Sequence, residues 1–311
     1  MTAIVAWWNR FWFAAVDART VGLMRLLLGL ILLTTHVAMV PDLDVLFGAD
    51  GPVSVAAVQG SAPWSPLVAD LMQAMSQPVA LRVTWVVIGV IYLGVVLGVR
   101  SRLMVVFALL AQAWLYHRNP FMQHGGDRVL RLATLSLALV PCGAALSWDA
   151  RRRGPSEAPA MVPILAQRLI QIQLVVIYMH SGWVKSGGST WRNGTALYYA
   201  LSNTQYQRFP GVLDSLMQRE LVQWLCTVGT WITVVWEASF GLLMLWWPTR
   251  VIGLLIGVLV HGGIFTSMMV GSFSFVMVWS YLAFLPVDWP QCLDRWRERR
   301  RDADRSLGAS G

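Results

Sequence analysis

Apolar residues in this chain gather into long unbroken blocks instead of alternating with polar ones. Eight stretches stand out, at residues 21–40, 81–99, 103–116, 129–148, 162–185, 221–247, 251–270 and 271–285. A hydrocarbon core about 30 Å thick takes about twenty apolar residues in helix, so most of these blocks suffice to cross it, while the third and eighth are short. Continuous blocks favour helices over a β-barrel, whose strands alternate apolar and polar positions. The pattern predicts an all-α, polytopic integral membrane protein, a single helical bundle of about eight transmembrane helices.

Ahead of the first block, Trp7, Trp8, Phe11, Trp12 and Phe13 surround Arg10. No small-residue cleavage site follows the first apolar run, which argues against a signal peptide. Residues 1–20 are expected instead to form an amphipathic segment lying at the membrane interface. The bundle then occupies residues 21–287, and residues 288–311 form an arginine-rich, solvated cytoplasmic tail. No internal repeat and no second domain is legible.

Composition agrees: 56% of the 311 residues are hydrophobic and 13% charged, a balance unlike that of a soluble domain. The formal net charge of +8 does not mark a nucleic-acid binder, because the basic residues are dispersed among apolar blocks instead of forming one surface stripe. Topology explains them better. With eight spans, Arg100, Arg102, the cluster Arg151 to Arg153, Arg250 and the arginines from Arg295 to Arg305 share one side, which the positive-inside rule makes the cytoplasm. The opposite side receives loops at 41–80, 117–128 and 186–220, and the first of these carries Asp42, Asp44, Asp50 and Asp70 but no lysine or arginine. Both termini are then cytoplasmic, and Lys185 and His124 extracytoplasmic, in a multi-pass inner-membrane protein. Cys142, Cys226 and Cys292 lack C-x-x-C spacing, so no metal site or disulfide framework is predicted.

An ionisable side chain inside a span is costly and therefore a candidate for function. The candidates are Arg25, His36, Arg168, His180, Lys185, Glu237 and His261. Arg25 and Arg168 lie near the cytoplasmic ends of their helices, where they can snorkel to the interface in a structural role. Glu237, the only carboxylate within the blocks, is expected in a buried structural ion pair with an arginine or histidine. His261 opens a His-Gly-Gly turn and reads as a packing histidine that donates to Glu237 or to a backbone carbonyl.

The fifth block differs. Gln171, Tyr178 and Lys185 recur every seven residues, with Ser181 one turn before the lysine, which puts them on one stripe facing protein or a cavity. Lys185 is the only lysine among the 24 Lys+Arg residues. Arginine keeps its proton at every accessible pH, whereas lysine can release one and serve as base or nucleophile. Ser186 to Tyr199, containing Trp191 and Gly194, reads as a glycine-loosened loop able to frame a pocket mouth. The loop carrying Gln123, His124, Gly125, Gly126 and Asp127 falls on the same predicted side, although Asp127 can equally stabilise a surface turn.

Three segments give this chain its resemblance to the HTTM, or vitamin K-dependent gamma-carboxylase-like, membrane family. They are Phe47-Gly-Ala-Asp-Gly51-Pro52, the segment Asn119 to Asp127 followed by Arg131, and the run from Gln173 through Lys185 to Trp191, Gly194, Ala196 and Tyr198. Glu237, His261 and Phe273 to Phe275 are similar to weaker features of the family. In its carboxylases a lysine deprotonates reduced vitamin K, oxygen is taken up, and the resulting alkoxide removes a proton from the gamma carbon of a glutamate, which captures carbon dioxide. The resemblance implies Lys185 as that base, His124 as its catalytic assistant, and Gln123, Tyr178, Ser181 and Trp191 around a reduced quinone. The full carboxylases carry a large extramembrane region after the bundle, whereas about 25 residues follow the last span here. Protein carboxylation is therefore not implied, and the substrate expected is small or a peptide, with a peptide or protein partner left open. A non-catalytic scaffold that binds lipid or a partner helix is the alternative. A transporter fits less well, because no inverted repeat or pair of broken helices is present.

Overall fold

The computed structural model describes residues 2–61, 65–154 and 158–308. Helix α1 (Ala3–Phe13) leads through strand β1 (Ala15–Asp17) into the long helix α2 (Ala18–Ala38). Short helices α3 (Leu43–Phe47), α4 (Val55–Ser61) and α5 (Pro66–Met75) precede α6 (Pro78–Leu97) and α7 (Ser101–Arg118). Next come α8 (Gly125–Ala138), α9 (Trp148–Arg153), strand β2 (Met161–Pro163) and α10 (Leu165–Gly187). Helices α11 (Ser189–Arg192), α12 (Ala196–Leu201) and α13 (Pro210–Met217) lead to α14 (Glu220–Leu243) and α15 (Trp247–Ser267). Finally α16 (Phe273–Ser280) runs into a 3-10 turn (Tyr281–Phe284), and α17 (Trp289–Gly308) follows.

Four of the described helices, α2, α6, α14 and α15, are long and apolar enough to cross a membrane. The protein is thus a helical membrane protein. The other blocks that the pattern marked are helical too, but shorter or more polar. Residues 129–148 shrink to the 14-residue α8, which stops at Ala138 ahead of Pro141 and Gly143. Helix α10 has 23 residues but carries Gln167, Arg168, Gln171, Gln173, His180 and Lys185. The apolar stretch Phe273–Phe284 is short.

The chain divides into two compact units. The first comprises Met1–Gln123, Arg131–Leu169 and Leu282–Gly311, and the second His124–Leu130 and Ile170–Tyr281.

In the first unit α2 packs on α6, and α6 on α7. Gly29 permits this approach, since a Cβ there would sit 2.8 Å from the Val96 amide. Strands β1 and β2 pair antiparallel with Val16 opposite Val162, so the helical part ahead of α2 is Ala3–Phe13. Three residues are too few for a legible alternation. Asp17 then caps α2 by accepting from the Arg19 amide at 2.8 Å.

Arg25 does not snorkel. It is fully buried, and its guanidinium donates to the carbonyls of Val95, Val96 and Leu146. Val95 and Val96 belong to the last turn of α6, which Gly98 ends at φ 70°. Carbonyls at a helix C-terminus lack intrahelical donors and favour a cation, so a fork of N–H groups serves them better than it serves the interface. Arg168 also turns to protein: its Nε lies 3.3 Å from the Phe11 carbonyl and its guanidinium 4.8 Å from the Phe11 ring centroid, tying α10 to α1. The expected solvated tail is the helix α17, anchored at its start by Trp289 Nε1 donating to Thr20 Oγ1 at 2.8 Å and by an Arg19–Asp294 ion pair at 2.7 Å. Residues 309–311 of that tail lie outside the described residues.

In the second unit α14 packs against α12 and α15, and α15 against α16. Trp236 Nε1 donates to the Gly253 carbonyl at 2.8 Å, joining α14 to α15. Helix α10 crosses α14 where Gly182 faces Ala238, and any Cβ on Gly182 would collide with the Ala238 backbone.

Candidate functional site

That crossing positions the lysine. Lys185 follows Gly182 by one helical turn, while Glu237 immediately precedes Ala238, so close backbone approach brings the two side chains face to face. Lys185 Nζ donates to both Glu237 oxygens, at 2.6 and 2.7 Å. It also lies 4.7 Å from the ring centroid of Trp191 on α11, a cation–π arrangement. The Glu237 side chain is 8% exposed and that of Lys185 23%, so the carboxylate is the more buried partner. Glu237 therefore pairs with the lone lysine, not with the arginine or histidine that the sequence suggested. The reason is the local crossing, which no spacing along the chain encodes.

Seven residues back along α10, Tyr178 forms a second hub. Its hydroxyl lies 2.7 Å from His261 Nε2 and 2.7 Å from the Tyr281 hydroxyl. Its ring packs on Trp236 and Phe240 of α14, with centroids 4.7 and 4.5 Å away. Gly257 makes room for Tyr281, whose hydroxyl would collide with any Cβ there. His261 is thus bonded to Tyr178, not to Glu237 or a backbone carbonyl. A phenol carries one proton, so Tyr178 donates in one of its two bonds and accepts in the other. His261 Nδ1 is buried without a hydrogen-bond partner, which leaves one end of this chain of groups open.

His124 stands at the start of α8. Its Nδ1 accepts from the Gly126 amide at 3.1 Å, and its own amide donates to Asp127 Oδ2 at 3.0 Å. These bonds build the turn that Asp127 was expected to stabilise. The imidazole approaches Phe273 edge-on at 6.3 Å, and Phe273 lies 5.4 Å from His261. An aromatic ring is thus its link to the Tyr178 hub. Ser181 is half-buried one turn before Lys185. Gln123 belongs to the first unit, where its amide donates to the Tyr116 carbonyl at 3.0 Å.

The structure brings Lys185, Glu237, Trp191, Tyr178 and His261 together. Tyr281 escaped notice in the sequence, because a single tyrosine closing an apolar run looks like ordinary core. Glu237 and Lys185 were the sole carboxylate and sole lysine of the apolar blocks, and that coincidence was the available signal for their pairing. Chemically, the arrangement offers a carboxylate that can take up a proton, a cation beside it that can neutralise developing negative charge, and a phenol–imidazole chain behind.

A family model, the HTTM domain, matches residues 13–289, from the end of α1 to the start of α17. Comparisons with curated proteins and with solved structures return no match.

Proposed function

The chain belongs to the HTTM domain family, and from that premise we propose that it is a membrane enzyme whose Lys185–Glu237 pair works on the head group of a reduced quinone of the vitamin K type. The reaction is oxygen-dependent and coupled to modification of a small or peptide substrate, as in the carboxylases that the sequence resembles. Counting α7, α8, α10 and the Phe273–Phe284 stretch as spans beside α2, α6, α14 and α15 gives eight. In that arrangement both termini are cytoplasmic, and Lys185 and His124 face the far side of a bacterial inner membrane.

The observation that carries this reading is the two-pronged contact of the only lysine with a buried carboxylate under the face of Trp191. The neighbouring residues supply polar and aromatic groups of the kind such a head group needs. Lys185 and Tyr178 are seven residues apart on one face of α10, about 10 Å along the axis, a separation suited to a flat ring with an oxygen at each end. Trp236, Phe240 and Phe273 supply apolar walls, and His261 Nδ1 still lacks a partner. A bound reduced quinone supplies electrons and acidic hydroxyls. In this reading Lys185 is the base: its ammonium proton passes to the Glu237 carboxylate at 2.6 Å, and the amine then accepts one from the quinol hydroxyl. Tyr178 and His261 orient the inner end, and Trp191 shields the mouth from water.

A second reading rests on a specific observation. Both Glu237 oxygens are bonded to Lys185 and the Tyr178 hydroxyl has both its neighbours, as in a packing role within a scaffold that binds lipid or a partner helix. Oxidation of a soluble reduced naphthoquinone by purified protein in air separates the two. The enzyme reading predicts protein-dependent turnover that falls about a hundredfold in Lys185→Arg and Glu237→Gln, with the thermal midpoint little changed. No protein-dependent turnover above background supports the scaffold.

A further inference from the structure

In the first unit a cleft of about 930 Å³ opens where β1, α9 and α17 meet. Its lining includes the apolar residues Ala144, Ala145, Leu146 and Ala150. Asp17, the N-cap of α2, also lines it, so the cleft lies beside the start of a helix long and apolar enough to cross a membrane.

The charges around the cleft divide into a closed set and an open one. Arg19 is closed, bonded to both Asp17 (2.8 Å) and Asp294 (2.7 Å). Arg153 uses one nitrogen on the Gly143 and Ala144 carbonyls, both at 3.0 Å, and Arg295 uses one on Cys292 Sγ at 3.1 Å. Each guanidinium has five N–H donors, so both keep donors to spare. Glu298 forms no ion pair among the described residues, and the Gln291 side-chain carbonyl has no donor. Two cationic forks suit a phosphate, and a free carboxylate beside an unpaired carbonyl suits a protonated amine.

We propose that this cleft binds the phosphoethanolamine head group of a membrane phospholipid, with Arg153 and Arg295 on the phosphate and Glu298 with Gln291 on the ammonium. A purely anionic head group would leave Glu298 facing negative charge. A choline head group carries no N–H to give. The site does not depend on the quinone reading, since its residues lie in the first unit and the lysine in the second.

Native mass spectrometry of the full chain in detergent, titrated with phosphatidylethanolamine, phosphatidylglycerol and phosphatidylcholine of identical acyl chains, tests the assignment. Ethanolamine lipid is expected to bind about tenfold more tightly than either competitor. Glu298→Gln is expected to abolish its advantage over the glycerol lipid, and Arg153→Gln with Arg295→Gln to weaken it about tenfold, all with an unchanged thermal midpoint. Equal binding of the three lipids, a wild-type preference for phosphatidylglycerol, or an ethanolamine preference untouched by these substitutions overturns the proposal.

Discussion

Arg118 and Lys185 are both cations held within helical membrane protein, yet their surroundings are opposite. Arg118, in the first unit, is 0% exposed and reaches Ser76 Oγ, the Val53 carbonyl and the Gly48 carbonyl, each at 2.7 Å. Beside it Asn119 Nδ2 donates to the Leu46 carbonyl at 2.9 Å. Its bonds go to neutral acceptors in the α3–α5 region, and Arg25 does the same at the end of α6. Lys185, in the second unit, meets a carboxylate and an indole face and stays partly open. A planar fork fixes several backbone acceptors at once but cannot release a proton, whereas a point charge beside a carboxylate makes a poor staple and a usable acid–base pair. The side-chain type therefore separates a structural cation from a chemical one.

The largest effect should come from Arg118→Ala, which strands two carbonyls and a hydroxyl and opens a cavity, at a cost of about 3–5 kcal/mol. Arg118→Lys should recover little of this, because an ammonium cannot span the three acceptors. Chemical denaturation in detergent measures both, and full rescue by lysine would break the distinction.

Lys185→Met should cost less, about 1–3 kcal/mol, because it leaves the Glu237 carboxyl without its partner. Adding Glu237→Leu should recover most of that loss, since a buried pair replaced by apolar residues is often neutral. A double variant less stable than the single one would make this pair a staple like Arg118. Tyr178→Phe removes a bridge between His261 and Tyr281 and should cost about 1–2 kcal/mol by the same measurement.

The smallest effect concerns Asp149, in the first unit. Burial pushes its carboxyl up, but the amides of Ser101 and Arg100 and the Ser101 hydroxyl outweigh this and hold it below its ordinary value of 3.8. A carboxyl depressed in the folded state contributes stability above its unfolded value and loses it as pH falls through the folded one. Asp149→Asn should accordingly flatten the acid-side decline of the thermal midpoint below about pH 4 while leaving its dependence above pH 6 unchanged.

Long helices were legible because apolar blocks of span length have one stable form in lipid, and α2, α6, α14 and α15 fall where those blocks lie. The stripe of Tyr178 and Lys185 on α10 followed from helical period alone. What pairs with each was not legible, because Glu237 lies 52 residues from Lys185 and His261 lies 83 from Tyr178, distances set by helix crossings at glycines. The inward turn of Arg25 depends on where α6 ends, and the burial of Arg118 on how a loop of short helices folds over it. The β1–β2 pair is too short to show a period. The helical α17 lacked an apolar block and reveals its anchoring only through Thr20 and Arg19.

Lys185 offers an unusually direct test, because acylation of the only lysine can be read from intact mass once the N-terminal amine is blocked. The decisive measurement is the rate of that acylation with and without a soluble reduced naphthoquinone under argon. If the head group sits at Lys185 and Glu237, the quinol at ten times its Kd should slow labelling about tenfold. Equal rates at saturating quinol, with Lys185 still reactive, would contradict a quinone site at this pair.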